Sequence, residues 1–229
     1  MAKLLTTAYF PPISYFAAIA EEMEGLVRIK GEDRKSILSS PLSPSIIYIE
    51  ACENYQKQSY RNRCHFYAAD GIQFLSFPIV HEGNTHKRPI SEVKIDYSTP
   101  WVMQHKRAIV SAYRTSAYFE YYQDELFAIL DSKPEKLIDL NTRLLEFFLE
   151  KTGIKAEIRM TESYGGCEDC EDLRESIHPK RPDSTLQRLK LEKPYFQVFA
   201  EKHGFIPNLS IMDLLFNEGP DSIIFLKNL

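Results

Sequence analysis

The sequence predicts an α/β fold: a single domain over residues 1–229, with a mixed sheet, a β-hairpin across 60–80 and helices packed around both. Three observations predict it. Short β-rich apolar runs alternate with stretches whose apolar residues recur at helical spacing. Residues 60–80 hold two β-rich runs separated by Asp70-Gly71, a strong hairpin signal. Hydrophobic residues make up 44% of the 229 positions, enough for one sizeable core without disulfide staples.

The elements follow in order. Lys3 to Tyr9 reads as a first strand, stopped by Phe10-Pro11-Pro12. A helix follows with Pro12 near its first turn and Ile13, Phe16, Ala17 and Ala20 on one face. Leu26 to Ile29 reads as a strand and 30–44 as a loop. Ser45 to Glu50 is a buried-type strand. With Asp70-Gly71 as a two-residue type I′ loop, Ala69 pairs with Ile72. Cys64 and Phe66 then share a face with Leu75, Phe77 and Ile79, while Arg61, Arg63 and His65 share the opposite one. Ile90 to Tyr97 reads as a strand, 100–131 as a helical stretch broken near Ser116, and Leu137 to Thr152 as an amphipathic helix ended by Gly153. Lys155 to Met160 is a strand and 163–190 is irregular. Two short helices close the chain at 195–202 and 210–217, the second with Ser210 as N-cap and Asp213 at the capping-box position.

The net charge is −4, which argues against wholesale nucleic-acid binding but leaves room for a local phosphate-binding patch. The N-terminus lacks a signal-peptide pattern and no apolar run approaches a membrane span, so a cytoplasmic protein is expected. No disulfide framework is expected in that setting. The thirteen Tyr and fourteen Phe are expected to be mostly core, with Tyr also suited to the wall of a polar ligand site. P-loop, Gly-x-Gly-x-x-Gly, Gly-x-Ser-x-Gly and His-Glu-x-x-His patterns are all missing from the sequence, and no cofactor is expected.

The segment Glu50 to His65 carries the main candidate chemistry. It follows the end of a buried strand, where α/β sheets place ligands. It holds Glu50, Glu53, Lys57, Arg61, Arg63 and His65. Two arginines on one strand face, roughly 7 Å apart, suit a phosphate or diphosphate. The plainer reading is a solvated hairpin face whose charges pair with Glu50 or Glu53. Asn62 falls on the core face, where its amide must find partners. His105 shares a helix face with Trp101 and Ile109. Such a histidine is more often a satisfied core residue than a catalyst; as a functional residue it would be a general base. Cys167 and Cys170, with His178, could hold half a zinc site, but the second half is missing and no metal site is expected.

These residues carry a family resemblance. Ala8-Tyr-Phe-Pro-Pro-Ile-Ser-Tyr-Phe16, then Ile49-Glu50, Lys57, Tyr60-Arg61-Asn62-Arg63, Phe77-Pro78, Trp101 and His105, and finally Asn208 to Pro220 occur in an order that resembles the WbqC-like family. The sequence departs from that pattern where the family's early glutamine is replaced by Thr7 or Ala8 and the next glycine by Ser14. The resemblance implies a setting in bacterial surface-polysaccharide (O-antigen) synthesis. It implies a transferase moving an acyl or aminoacyl group onto a phosphorylated or nucleotide-activated amino sugar. On that reading Lys57, Arg61, Asn62, Arg63, Tyr9 and Asp213 bind substrate, His105 is the base, and Glu50 or Glu53 orients it or the acceptor. All should then converge on one cleft. The rival is a non-catalytic binding or assembly protein that uses the aromatic segment 113–122 as an interface, with a homodimer as the expected assembly.

Overall fold

In the computed structural model, which describes residues 1–24, 44–81, 88–189, 191 and 193–227, the first two strands form the centre of a parallel sheet. β1 (Lys3–Thr6) and β2 (Ser45–Glu50) run side by side, with Leu5 opposite Ile49 and Thr6 opposite Glu50. β5 (Ala156–Met160) flanks β2 and β6 (Glu171–Asp172) flanks β1, giving the order β5-β2-β1-β6, parallel throughout. Parallel neighbours need a crossover, and α1 (Ile13–Glu24) lies on the one between β1 and β2. Every residue from Ile13 to Ala20 is buried, because α1 is packed between β2 and the C-terminal helices. A helix enclosed on all sides loses its polar face, and alanines at 17, 18 and 20 let its neighbours approach.

The expected strand at 26–29, and all of the expected loop except Pro44, lie outside the described residues. The hairpin is present as β3 (Arg63–Ala68) and β4 (Gly71–Ser76), forming a second, two-stranded sheet apart from the first. Its turn is one residue earlier than expected: Ala68 pairs with Gly71, and Ala69 and Asp70 form the loop. A type I′ turn needs positive φ at both loop residues, whereas here only Gly71 has it, at 98°. The pairing therefore moves by two residues, with Cys64 opposite Leu75. A two-residue shift preserves the faces, so Cys64, Phe66, Leu75, Phe77 and Ile79 are all buried together. Arg61 is the exception to the expected face, since β3 begins only at Arg63.

Residues 90–97 do not form a strand. Ile90–Glu92 is a 3-10 turn, followed by isolated bridges from Lys94 to Lys136 and from Ile95 to Ile79. Pro89 withholds a ladder donor just before the turn. α2 (Trp101–Tyr113) and α3 (Phe119–Asp131) are divided around Ser116, and α4 (Leu137–Lys151) ends before Gly153. The nominally irregular 163–190 segment contributes β6 and the short α5 (Ser184–Arg188). The first expected C-terminal helix shortens to α6 (Ala200–His203). α7 (Ile211–Glu218) starts at Ser210, whose side chain accepts from the Met212 amide. α8 (Ser222–Leu226) follows a 3-10 turn at Gly219. At Gly219, φ is 55° and a Cβ would sit 2.5 Å from the Tyr118 ring, so glycine alone fits there.

The expected aromatic interface is largely internal. Tyr113 and Phe119 are buried and each meets Phe216 at 5.2 Å between ring centroids. Tyr118 and Tyr122 are half-buried, and Tyr121 is exposed. One open ring is too small a patch to carry the assembly reading at 113–122. No described helix is long and apolar enough to cross a membrane.

Candidate functional site

β1 and β2 end side by side, and the chain leaving β2 forms the site. Glu50 is fully buried at that end. Its carboxylate accepts from the Cys52 amide at 2.9 Å, the Thr161 hydroxyl at 2.7 Å, the Gly165 amide at 2.7 Å and Arg174 at 2.8 Å. Four donors saturate it, so Glu50 fixes the 161–174 segment against β2 and offers no free oxygen for catalysis. Arg174 also chelates Asp172 and lies 4.6 Å from the Tyr164 ring centre.

Glu53 and Arg61 form a buried, two-pronged pair, Nε–H donating at 2.8 Å and Nη2 closing the second contact. Burial raises the Glu53 carboxyl above its ordinary range, the Arg61 pair opposing it. Arg61 is thus consumed internally, and the expected Arg61–Arg63 phosphate fork does not exist. Asn141 of α4, unmarked in the sequence reading, donates to the Arg61 carbonyl at 2.8 Å and to Thr7 Oγ1 at 3.1 Å. It ties the exit of β1 to this loop.

His105 is also internal. Its Nδ1 faces the Tyr9 hydroxyl at 2.8 Å, and the Ser76 backbone lies against the ring. Trp101 and Tyr9 enclose it at 5.1 and 5.8 Å between centroids. Burial drives its pKa down to about 4, opposed by the Ser76 contact. A neutral imidazole sealed among aromatic rings is a core histidine, not a base in a cleft. Asp213 lies in a separate cluster, accepting from Tyr195 at 2.5 Å and Gln197 at 3.0 Å. Burial raises its pKa to about 6, while Tyr195, Tyr113 and Gln197 pull it back. Its carboxylate therefore does not complete the expected capping box.

Glu50, Arg61, His105, Tyr9 and Asp213 therefore do not converge on one open cleft. Three other candidates do share one. Lys57, Asn62 and Arg63 line a cleft of about 480 Å³ with Tyr55, Phe77 and His81. Asn62 Nδ2 donates to the Phe77 carbonyl at 2.7 Å and the Phe77 amide returns to the Asn62 carbonyl at 3.2 Å, fixing the cleft floor. Arg63 lies 4.8 Å from the centre of the Phe74 ring. Its Nε is buried without a hydrogen-bond partner, and among the described residues it has no carboxylate partner. An adjoining cavity of about 600 Å³ shares Tyr55 and Lys57 and adds Cys52, Glu53 and Tyr164. Gln58, between them, holds φ at 59°, a left-handed conformation costing a non-glycine residue about 1 kcal/mol or more.

His81 was missed because an isolated histidine after an apolar run carries no pattern. Arg174 and Tyr164 were missed because their segment has no periodicity. Cys167 and Cys170 are joined in a disulfide, contrary to expectation. The Gly165-Gly166 turn folds the chain back, with the Cys167 amide donating to the Gly165 carbonyl at 2.7 Å. Among the described residues no three metal-ligating side chains cluster, and His178 Nδ1 accepts from the Lys180 amide.

The model of the WbqC-like protein family matches residues 44–178, more than half of the chain. The chain belongs to the WbqC-like protein family. The matched span contains both clefts and every residue that lines them. An uncharacterized protein of Mycobacterium tuberculosis, Rv1507c, is similar to this WbqC-like chain. It is 27% identical over 195 residues, covering 76% of this chain and 84% of the relative. No solved structure matches.

Proposed function

We propose that this WbqC-like protein is a cytoplasmic transferase acting on a phosphorylated or nucleotide-activated amino sugar in surface-polysaccharide synthesis. The observation that carries the reading is Arg63. A guanidinium that lines the cleft, lies against an aromatic ring and has no carboxylate partner among the described residues retains hydrogen-bonding capacity for an anion. Lys57 and His81 on the same cleft wall add cationic or donor groups, and a phosphate or diphosphate is the anion such a set fits. Tyr55 supplies a flat wall and a hydroxyl for the sugar or base. Asn62 holds the cleft floor and positions rather than binds.

Of the three catalytic candidates, Glu53 lines a cavity wall. Its carboxyl is raised by burial, which suits proton exchange with an acceptor amine nearer neutral pH. Arg61 then orients that carboxylate, and Glu50 and His105 support the fold. A panel of nucleoside-diphosphate amino sugars, followed by calorimetry and by transfer assays with acyl and aminoacyl donors, tests the reading. Binding lost in Arg63→Ala and turnover lost in Glu53→Gln support it; binding that is indifferent to Arg63 removes it.

A further inference from the structure

β4 has one free edge. The Phe77 amide donates to the Asn62 carbonyl, which makes 62 and 77 a hydrogen-bonded pair. Antiparallel pairs alternate between bonded and non-bonded. Cys64–Leu75 and Phe66–Gln73 are then bonded pairs, and the backbone groups of Ile72, Phe74 and Ser76 point away from β3. The same alternation turns His65 and Tyr67 outward on the far edge of β3. That edge is occupied: the Ser210 amide donates to the His65 carbonyl at 2.9 Å, and the Tyr67 amide meets the Tyr113 hydroxyl at 3.4 Å. On β4, the Ser76 backbone is met by His105. The outward groups of Ile72 and Phe74 have no partner among the described residues, and the two residues are 54% and 58% exposed.

Exposed edges are usually blunted by lysine, proline or a bulge. The strand Gly-Ile-Gln-Phe-Leu-Ser has no charge and no proline. We propose that β4 is a self-association edge, pairing antiparallel with β4 of a second copy, Ile72 opposite Phe74 of that copy, about a twofold axis at Gln73. This register uses the outward donors and acceptors of Ile72 and Phe74 at once, in two bonded pairs. It places Ile72 and Phe74 beside their counterparts on one face, a favourable aliphatic–aromatic cross-strand pair. It also sets Asp70 of each copy opposite Ser76 of the other, whose β3 neighbour is Arg63. Because the outer edge of β3 is covered, the association closes at two copies. The six-residue strands bury less than about 1,200 Å² in total, so the dimer is concentration-dependent.

Sedimentation velocity from about 1 to 500 µM, a range chosen for a micromolar-class dissociation constant, should show wild type shifting from the 26.6 kDa monomer towards a dimer. Ile72→Lys, which sets like charges near one another across the axis, should keep it monomeric with an unchanged far-ultraviolet circular dichroism spectrum. Gln73→Cys should cross-link through the axis under mild oxidation, since non-bonded pairs bring Cα atoms to about 4.5 Å, while Ile72→Cys and wild type should not. If Ile72→Lys misfolds, the cysteine pair decides alone. A wild-type monomer throughout, dimerisation unaffected in folded Ile72→Lys, or equal cross-linking at 72 and 73 each overturns the proposal.

Discussion

Replacing Glu50 with alanine separates a structural carboxylate from a catalytic one. The side chain accepts from Cys52, Thr161, Gly165 and Arg174, and none of it is exposed. Alanine leaves the Arg174 guanidinium without one of its two carboxylates and strands two amides and a hydroxyl. Breaking a buried pair from one side costs about 3–5 kcal/mol, and unsatisfied donors act in the same direction. In a chain of this size each kcal/mol lowers Tm by about 2–4 °C, so Glu50→Ala should melt roughly 10 °C below wild type by circular dichroism. Glu50→Gln keeps one acceptor oxygen but points an amide at existing donors, and should fall between the two. Chemical denaturation should show the same order, with an unchanged urea dependence. A Tm within about 2 °C of wild type would show that the four contacts do not hold the 161–174 segment, and would return Glu50 to the catalytic candidates.

Other outcomes follow from the same geometry. The folded His105 pKa of about 4 lies below the ordinary 6.5, so the unfolded chain binds the extra proton between those values. His105 should therefore cost about 3 kcal/mol of stability as pH falls from 6.5 to 4, with no further loss below; His105→Gln should flatten that part of the pH–stability curve. Asn141→Ala removes the ties to Thr7 and the Arg61 backbone, and should cost about 1–3 kcal/mol in urea unfolding, with the loss confined to stability if Asn141 only scaffolds the loop. Tyr195→Phe deletes a donor that favours ionised Asp213, so the Asp213 pKa should rise above its value of about 6 in a carbon-13 carboxyl titration; an unchanged midpoint would contradict the assigned network.

The parts of the fold that were legible from sequence are those set by local pattern. β2, α4, the break at Ser116 and the Ser210 cap each follow from periodicity or a capping residue within a few positions. The hairpin faces were also legible, because alternation survives a two-residue error in register, whereas the turn itself depended on φ at Ala69 and Asp70. Residues 90–97 misled because alternating apolar residues satisfied isolated bridges instead of a ladder. The charged residues were the least legible. Arg61 and Arg63 are equivalent in sequence, yet Glu53 captures one and leaves the other open. Glu50 and Glu53 differ in the same way, because three of the four donors that saturate Glu50 come from positions 161 to 174, more than 100 residues away. His105 pointed inward as its helical spacing implied, and tertiary contacts with Tyr9 and Ser76 decided its role. His81 and Tyr164 face the clefts through long-range folding alone.

The most direct test of the central claim is calorimetric titration of a nucleoside-diphosphate amino sugar into wild type, Arg63→Ala and Arg159→Ala. Arg159 is an exposed arginine already paired with Glu157. A charge-assisted contact is worth about 1.5–3 kcal/mol, so Arg63→Ala should weaken binding by roughly tenfold to more than a hundredfold, with Arg159→Ala unchanged. Equal affinity in all three proteins, or no binding by wild type across the panel, would contradict the assignment of this cleft.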